Sequence, residues 1–175
     1  MAHKSKDTLR LEEYCEAAGL TKKYCKQIGE ISLHYYRYSW LPSMIMKETA
    51  DTLPVLRDAI IMLGDRNRPY TKKDLKRAVQ TISRLDLFDV LVERALESVW
   101  EDILAEPDEN YGQILGYCCQ GHHREPEYDF YSRIGLSKSA VYERRNNLFT
   151  AIGLAITCCA APMALKALGE WGVRQ

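Results

Sequence analysis

The sequence lacks the patterns that identify most enzymes and membrane proteins. It has no glycine-rich phosphate loop, no serine or cysteine nucleophile motif and no His-Glu-x-x-His zinc motif, so we expect neither an enzyme nor a bound cofactor. Residues 1–10 are polar and contain no apolar segment of the kind that a secretory signal requires. The most apolar stretch, residues 148–165, is interrupted by Pro162 and is shorter than the roughly 20 residues of a spanning helix. It predicts a buried helix and no membrane contact.

The chain also has no excess of positive or negative charge. The chain has 24 Lys and Arg residues and 24 Asp and Glu residues, which gives a formal net charge of zero. Any affinity for nucleic acid must therefore come from charge that is arranged locally. Residues 133–145 carry four cations and one anion, and residues 66–77 form a second basic stretch. Residues 86–109 are acidic with Arg94 as the single cation, which also fits an ordinary solvated helix face.

The six cysteines do not form the framework of a small secreted protein. Two pairs are adjacent in sequence, at residues 118–119 and 158–159, and adjacent cysteines rarely bridge each other. Together with the polar N-terminus, this indicates a reducing, cytoplasmic location.

One short segment collects side chains that can bind metal, namely Cys118, Cys119, His122 and His123. Structural zinc sites usually separate their cysteines, and adjacent residues on a helix point about 100° apart. We therefore predict no metal site, although this segment is where one would form.

The chain is typical of an all-α protein. Strand-like alternation is scarce, whereas apolar residues recur at three- and four-residue steps, as in residues 85–103. Thr71 followed by Asp74 is a capping-box pattern that opens a helix. We predict a helical bundle with a C-terminal helix-turn-helix. Residues 1–106 form a helical module for oligomerisation or polymerase contact, and residues 107–175 form a DNA-binding region with a C-terminal helical extension.

The most informative segment is residues 134–145, which predicts a helix, a short turn and a second helix with exposed cations. Gly135 tolerates the left-handed backbone that the turn needs, and Ser137 is a good N-cap for the second helix. Val141 supplies the apolar residue that holds the two helices together. The predicted DNA-binding residues on the second helix are Lys138, Ser139, Tyr142, Arg144, Arg145 and Asn146. These residue types contact phosphates and base edges.

A similar order of residues occurs near the N-terminus. Gly19, Leu20 and Thr21 separate two predicted helices at residues 11–18 and 22–38. A second DNA-binding turn is one interpretation. The other is the ordinary punctuation between two helices, because too few residues precede the turn to supply a supporting helix.

Residues 111–117 (YGQILGY) and 134–149 together resemble the C-terminal region of ArpU-type phage transcriptional regulators. Those proteins carry a Tyr-x-x-Ile-Leu helix, then a turn of the form Ile-Ser-x-Ser-x-x-Tyr and a basic helix. The positions that fall on this pattern are Ser137, Ser139, Tyr142, Arg145 and Leu148. Arg144 departs from it, since an aliphatic residue is usual there. The resemblance implies a sigma-factor-like DNA-binding region that controls late phage genes.

The sequence thus favours a transcriptional regulator that binds double-stranded DNA, with RNA polymerase and a second copy of the chain as possible partners. One alternative is a phage DNA-packaging adaptor, similar to a small terminase subunit, which would form a ring of many subunits. Another is a helical protein-interaction module that acts on a host factor.

Overall fold

The structure is a computed structural model, and it describes residues 4–36, 53–64, 71–83, 86–119 and 125–172. Every regular element in these ranges is helical, which confirms the predicted all-α class. The α-helices, numbered in chain order, are α1 (Lys6–Ala17), α2 (Lys22–Tyr36), α3 (Leu53–Gly64), α4 (Lys72–Ile82), α5 (Asp86–Ser98), α6 (Glu109–Cys119), α7 (Glu127–Ile134), α8 (Lys138–Ala155) and α9 (Ala161–Gly172). Two π-helical turns, Val99–Ile103 and Ile156–Ala160, follow α5 and α8.

The pair α2 and α8 forms the most extensive helix contact of the fold, and the two helices cross at glycines. A Cβ atom on Gly29 would lie 1.9 Å from the carbonyl oxygen of Phe149, and one on Gly153 would lie 1.8 Å from the carbonyl oxygen of Cys25. Real Cβ atoms do not come this close to backbone atoms, so the crossing requires glycine on both helices.

The other helices surround this central pair. Helix α4 packs on α2 and α3, α3 also contacts α9, and α5 packs on α8 and the second π turn. Apolar side chains form one buried cluster that includes Ile28 of α2, Val92 of α5 and Ile152 of α8. The predicted regions 1–106 and 107–175 therefore share a core, and their division stays a prediction about function.

Two helices begin or end at other residues than the sequence predicts. Helix α1 begins at Lys6, well before the predicted start at residue 11, because the Ser5 side chain caps it and Asp7 lies in its first turn. The helix predicted to continue through residue 103 instead changes to the π turn at Val99. Thr71 and Asp74 do form the predicted capping box at the start of α4.

Pro162 does not break the apolar C-terminal stretch into separate helices. Helix α8 continues through the π turn into α9, where Pro162 is the second residue. Proline lacks an N–H donor and its ring clashes with the carbonyl group four residues earlier. In the π turn directly before Pro162, hydrogen bonds join residues five apart, as from the Ala161 N–H to the Ile156 carbonyl oxygen. The chain stays helical through this turn and into α9.

Among the residues that the structure describes, one helical run, Lys138–Lys166, is long and apolar enough to cross a membrane, judged by length and composition. Inside the fold, 67% of its most apolar window is buried against other helices. A core helix passes the same test, and this run is compatible with the buried helix that the sequence predicts.

Candidate nucleic-acid interface

Helices α7 and α8 are joined by a tight turn at Gly135. This residue has φ 69° and ψ 23°, the left-handed conformation that glycine adopts without strain. Its N–H donates to the carbonyl oxygen of Ser132 at 3.3 Å, and the Leu136 N–H donates to that of Tyr131 at 3.3 Å. These bonds satisfy carbonyl groups at the end of α7 and direct the chain into α8.

The start of α8 is held by a cap and by buried side chains. Ser137 Oγ accepts a hydrogen bond from the Ala140 N–H at 3.2 Å. Val141 of α8 and Phe130 of α7 are both buried, with 3% and 0% exposure. Phe130 also stacks on Tyr117 of α6, with 4.1 Å between ring centroids. The turn therefore has a fixed position relative to α6.

Beyond the cap, one side of α8 faces solvent. Lys138 and Ser139 are exposed, and Tyr142 and Asn146 are half-buried. Their three- and four-residue spacing places them on one face of the helix. Two cations lie near the Tyr142 ring: Lys138 Nζ is 5.7 Å from its centroid and the Arg145 guanidinium carbon is 4.2 Å away. This face offers an ammonium group, hydroxyls and an amide, which are groups that contact phosphates and base edges.

Arg145 is less exposed than the sequence predicts. Its side chain is 25% exposed, and Nη1 lies 3.9 Å from Oε1 of Glu127 on α7. The guanidinium group covers the Tyr142 ring, because a cation next to an aromatic face is attracted to it. Arg145 is thus placed between the outward face and α7, and its contact with Glu127 is long.

Arg144, which the sequence places among the DNA-binding residues, faces α6 instead. Its Nη2 donates to Asp108 Oδ2 at 2.7 Å, and its guanidinium carbon lies 5.6 Å from the Tyr111 ring centroid. Burial opposes ionisation of Asp108, but hydrogen bonds from Arg144 and the Tyr111 N–H outweigh it and hold the pKa of that carboxyl below its usual range. The predicted role overlooked this partner, which lies 36 residues earlier in the chain.

The positive charge predicted for this hairpin is largely neutralised within it. Arg133 Nε donates to Glu125 Oε1 at 3.0 Å, so each arginine of the hairpin has a carboxylate neighbour. Residues 125–146 contain four cations and four anions. In the part of the chain that the structure describes, Lys138 is the one cation of the hairpin without an ion pair.

A buried carboxylate joins α1 to α6. Asp7 Oδ2 accepts a hydrogen bond from the Tyr111 hydroxyl at 2.8 Å, and Oδ1 accepts from the backbone N–H groups of Ala105 and Glu106 at 2.7 and 3.3 Å. Burial raises the pKa of Tyr111, and the Asp7 carboxylate raises it further. The first turn of α1 is thereby fixed beside the helix that supports the hairpin.

A second polar cluster joins α1 directly to α8. Asn147 is 2% exposed, and its Nδ2 donates to Thr8 Oγ1 at 3.0 Å. The Thr8 hydroxyl is also 3.0 Å from Glu143 Oε1, and hydrogen bonds from Ser5 and Thr8 hold the pKa of Glu143 below its usual range. Sequence reasoning missed this cluster because Thr8 and Glu143 are 135 residues apart. Its one local signal is a polar Asn147 beside Leu148 on the buried side of α8.

The N-terminal turn has the same local geometry as the turn before α8. Gly19 has φ 67°, and the Leu20 N–H donates to the carbonyl oxygen of Cys15 at 2.9 Å. Thr21 Oγ1 accepts from the Tyr24 N–H at 3.2 Å. The same geometry fits both interpretations of this turn, and a DNA contact here stays a prediction.

The segment with metal-binding side chains is described only in part. Cys118 and Cys119 are half-buried at the end of α6, whereas His122 and His123 lie outside the described residues. Among the residues that the structure describes, no three His, Cys, Asp or Glu side chains converge as a metal site would require. The absence of a metal at residues 118–123 stays a prediction.

An open cavity of about 590 Å³ lies against the outer side of α7 and the turn. Its lining includes Tyr128, Tyr131, Ser132, Gly135, Leu136 and Lys138. Tyr128 is 80% exposed, which is unusual for a large aromatic side chain. The hairpin therefore presents a second, more apolar surface beside the outward face of α8.

Comparison of the chain with protein-family models, with curated proteins and with solved structures finds no match in any of the three.

Proposed function

We propose that this chain is a sequence-specific DNA-binding protein that regulates transcription, and that α8 is its recognition helix. The observation that carries the proposal is the division of α8 along its length. Its first turns expose Lys138 and Ser139, whereas residues 147–155 are all buried. A helix that is anchored by one half and projects the other half in a fixed direction suits insertion into the major groove.

The proposed contacts are divided by their chemistry. Lys138, at the N-terminal end of α8, suits a phosphate group. Ser139, Tyr142 and Asn146 suit base edges, and an asparagine amide matches the paired donor and acceptor of adenine. Arg145 joins them only by giving up its long contact with Glu127. Arg144 is removed from the set because Asp108 holds it on the opposite side.

The resemblance to ArpU-type regulators supports the regulatory part of the proposal. On that basis the chain acts in the cytoplasm, in the late-gene control of a phage or prophage. Residues 1–106 then supply oligomerisation or contact with RNA polymerase. The proposal includes no catalytic step.

The test begins with selection of a duplex from a random pool, followed by fluorescence-anisotropy titrations of single-base variants of that duplex. Asn146→Ala should weaken binding of the selected duplex about 5- to 150-fold and relax preference at one position, since a base contact contributes about 1–3 kcal/mol. Gln27→Ala is the matched control, because Gln27 is a half-buried amide on α2 of the other hairpin. Equal effects of the two variants, or a selection that returns no common sequence, would contradict the proposal.

A protein-interaction module is the second candidate, and two observations favour it. The ion pairs of Arg133, Arg144 and Arg145 leave the hairpin without net positive charge, while Tyr128 is exposed beside the open cavity. If the wild-type chain binds no duplex at low salt, the protein-interaction function is the better explanation.

A further inference from the structure

Helix α4 has the most sharply divided surface among the described helices. Its inner side consists of Leu75, Ala78, Val79 and Ile82, all at most 3% exposed. Its outer side consists of Lys72, Lys73, Lys76, Arg77 and Gln80, all exposed. We call the four cations among them the α4 basic face.

The α4 basic face has no ion pair within the part of the chain that the structure describes. The one carboxylate of α4, Asp74, accepts hydrogen bonds from the Thr71 N–H and hydroxyl, which donate to Oδ2 at 3.0 and 2.6 Å. The charges of Lys73 and Arg77 also help to lower the pKa of Asp74, but neither side chain forms an ion pair with it in the described structure. Four cations and one carboxylate leave the helix with a net charge of +3. In contrast, the arginines of the α7–α8 hairpin all have carboxylate neighbours.

This arrangement of charge does not serve the stability of the helix. Lys72 and Lys76, and likewise Lys73 and Arg77, are like charges four residues apart, which repel each other on a helix. Lys72 and Lys73 also lie in the first turn, where the helix dipole disfavours cations. An external anion would relieve both effects.

We propose that the α4 basic face is a second contact surface for the phosphate backbone of duplex DNA. This inference rests on the proposed function, and it places most of the electrostatic attraction on α4 while α8 recognises sequence. Lys138 alone would give a slope of about −0.9 in log affinity against log salt, and each α4 cation that meets a phosphate adds about the same.

A nucleic acid fits this surface better than a membrane does. A helix that binds at a bilayer surface buries an exposed apolar face among the lipids. The apolar face of α4 is in the protein core, and its exposed side chains are all polar. The exposed side of α4 is charged and has no apolar surface, and such a surface suits the hydrated phosphate groups of a nucleic acid.

The test is the double variant Lys72→Gln/Lys76→Gln, measured by fluorescence anisotropy on one duplex at several salt concentrations. The slope of log affinity against log salt should become less negative by about 1.8, with equal loss of affinity for all sequences. The matched control is Arg94→Gln/Lys166→Gln, which removes the same charge from two exposed cations on α5 and α9, away from both glycine turns. It should leave the slope unchanged. The melting temperature of the α4 variant should stay the same or rise.

Several results would overturn the inference. These are an unchanged slope in the α4 variant, an equal change in the control, or a wild-type chain that binds no duplex. The inference would also be wrong if the α4 variant lost binding to phosphatidylserine vesicles but kept the wild-type slope of log affinity for the duplex against log salt. Failure of the proposed recognition helix gives a different result. In that case Asn146→Ala leaves sequence preference unchanged while the α4 variant still reduces the slope.

Discussion

The hairpin α1–α2 and the hairpin α7–α8 contain the same turn in different surroundings. Gly19 and Gly135 have φ 67° and 69°, and each is followed by leucine and then by a hydroxyl residue that caps the next helix. Four residues after the cap, Cys25 in one hairpin and Val141 in the other are buried. Local geometry therefore gives no reason to assign DNA contact to one hairpin and not to the other.

What differs is the helix that follows each turn. Helix α2 is buried along much of its length against α8, and its exposed residues include both Lys23 and Glu30. The start of α8 presents polar and aromatic side chains while α6 and α1 hold it from behind through Arg144 and Asn147. A glycine turn with a cap is thus a general way to join helices. The function depends on which side chains the second helix exposes and how rigidly it is held.

The largest effect is expected at the crossing where the second helices of the two hairpins meet. Gly153→Ala puts a Cβ atom 1.8 Å from the carbonyl oxygen of Cys25, so we expect a loss of about 3 kcal/mol in the free energy of unfolding. Gly116→Ala on α6 is the control, because nothing lies within 4 Å of its Cβ position. It should stabilise the protein by about 0.5–1 kcal/mol, since alanine is the better helix former. Urea unfolding measures both. A Gly153→Ala variant as stable as the wild type would show that the two helices do not cross this closely.

The next prediction compares the two turns directly. Gly19→Ala and Gly135→Ala should each cost about 1–2 kcal/mol, because both positions have positive φ and space for a methyl group. Thermal unfolding should therefore not distinguish the two variants. DNA affinity should distinguish them. Gly135→Ala should lose more affinity than its lower stability explains, whereas Gly19→Ala should not. If Gly19→Ala weakened DNA binding equally, both hairpins would contact DNA.

A smaller effect concerns the ion pair between Arg144 and Asp108, which joins the C-terminal hairpin to the start of α6. Asp108→Asn should cost about 1 kcal/mol or less at neutral pH, the usual range for partly exposed pairs. The pKa of Asp108 is lowered in the folded chain, so its stabilisation is present above its ordinary pKa and disappears as pH falls through the folded value. The gap in melting temperature between wild type and variant should hold near pH 7 and close below about pH 4. A gap that stayed constant down to the lowest pH at which both proteins are folded would contradict this role for Asp108.

No effect is expected from chelation at the end of α6, the helix on which Phe130 of the C-terminal hairpin stacks through Tyr117. EDTA should leave the melting temperature unchanged, and elemental analysis should find no stoichiometric metal. One zinc ion per chain would instead make residues 118–123 a metal-bound support for α7 and α8, and would be a further difference between the hairpins.

Features set by neighbouring residues could be predicted from the sequence. The Gly135 turn, the Ser137 cap and the Thr71 capping box depend on residues within one helical turn of each other. The start of α1 could have been found too, since Ser5 followed by Asp7 is an N-terminal signal. The close crossing had a weaker signal, a glycine at Gly153 inside an apolar helical stretch.

The charge state of the candidate interface could not be predicted. It depends on Asp108 and Glu127, whose neighbours Arg144 and Arg145 are brought to them only by the packing of α6 and α7 on α8. The same holds for Asp7 and Thr8, which reach α6 and α8 across most of the chain. A local count of cations therefore overestimated the positive charge of one hairpin.

The most direct test of the account is lysine acylation of the full chain with and without the selected duplex, measured residue by residue by mass spectrometry. Lys138, Lys23 and Lys166 are all exposed in the absence of DNA, so each should react readily. Saturating DNA should protect Lys138 at the start of α8 and leave Lys23 and Lys166 as reactive as before. Protection of Lys23 with Lys138 unchanged, or no protection of either, would contradict the assignment of α8 as the recognition helix.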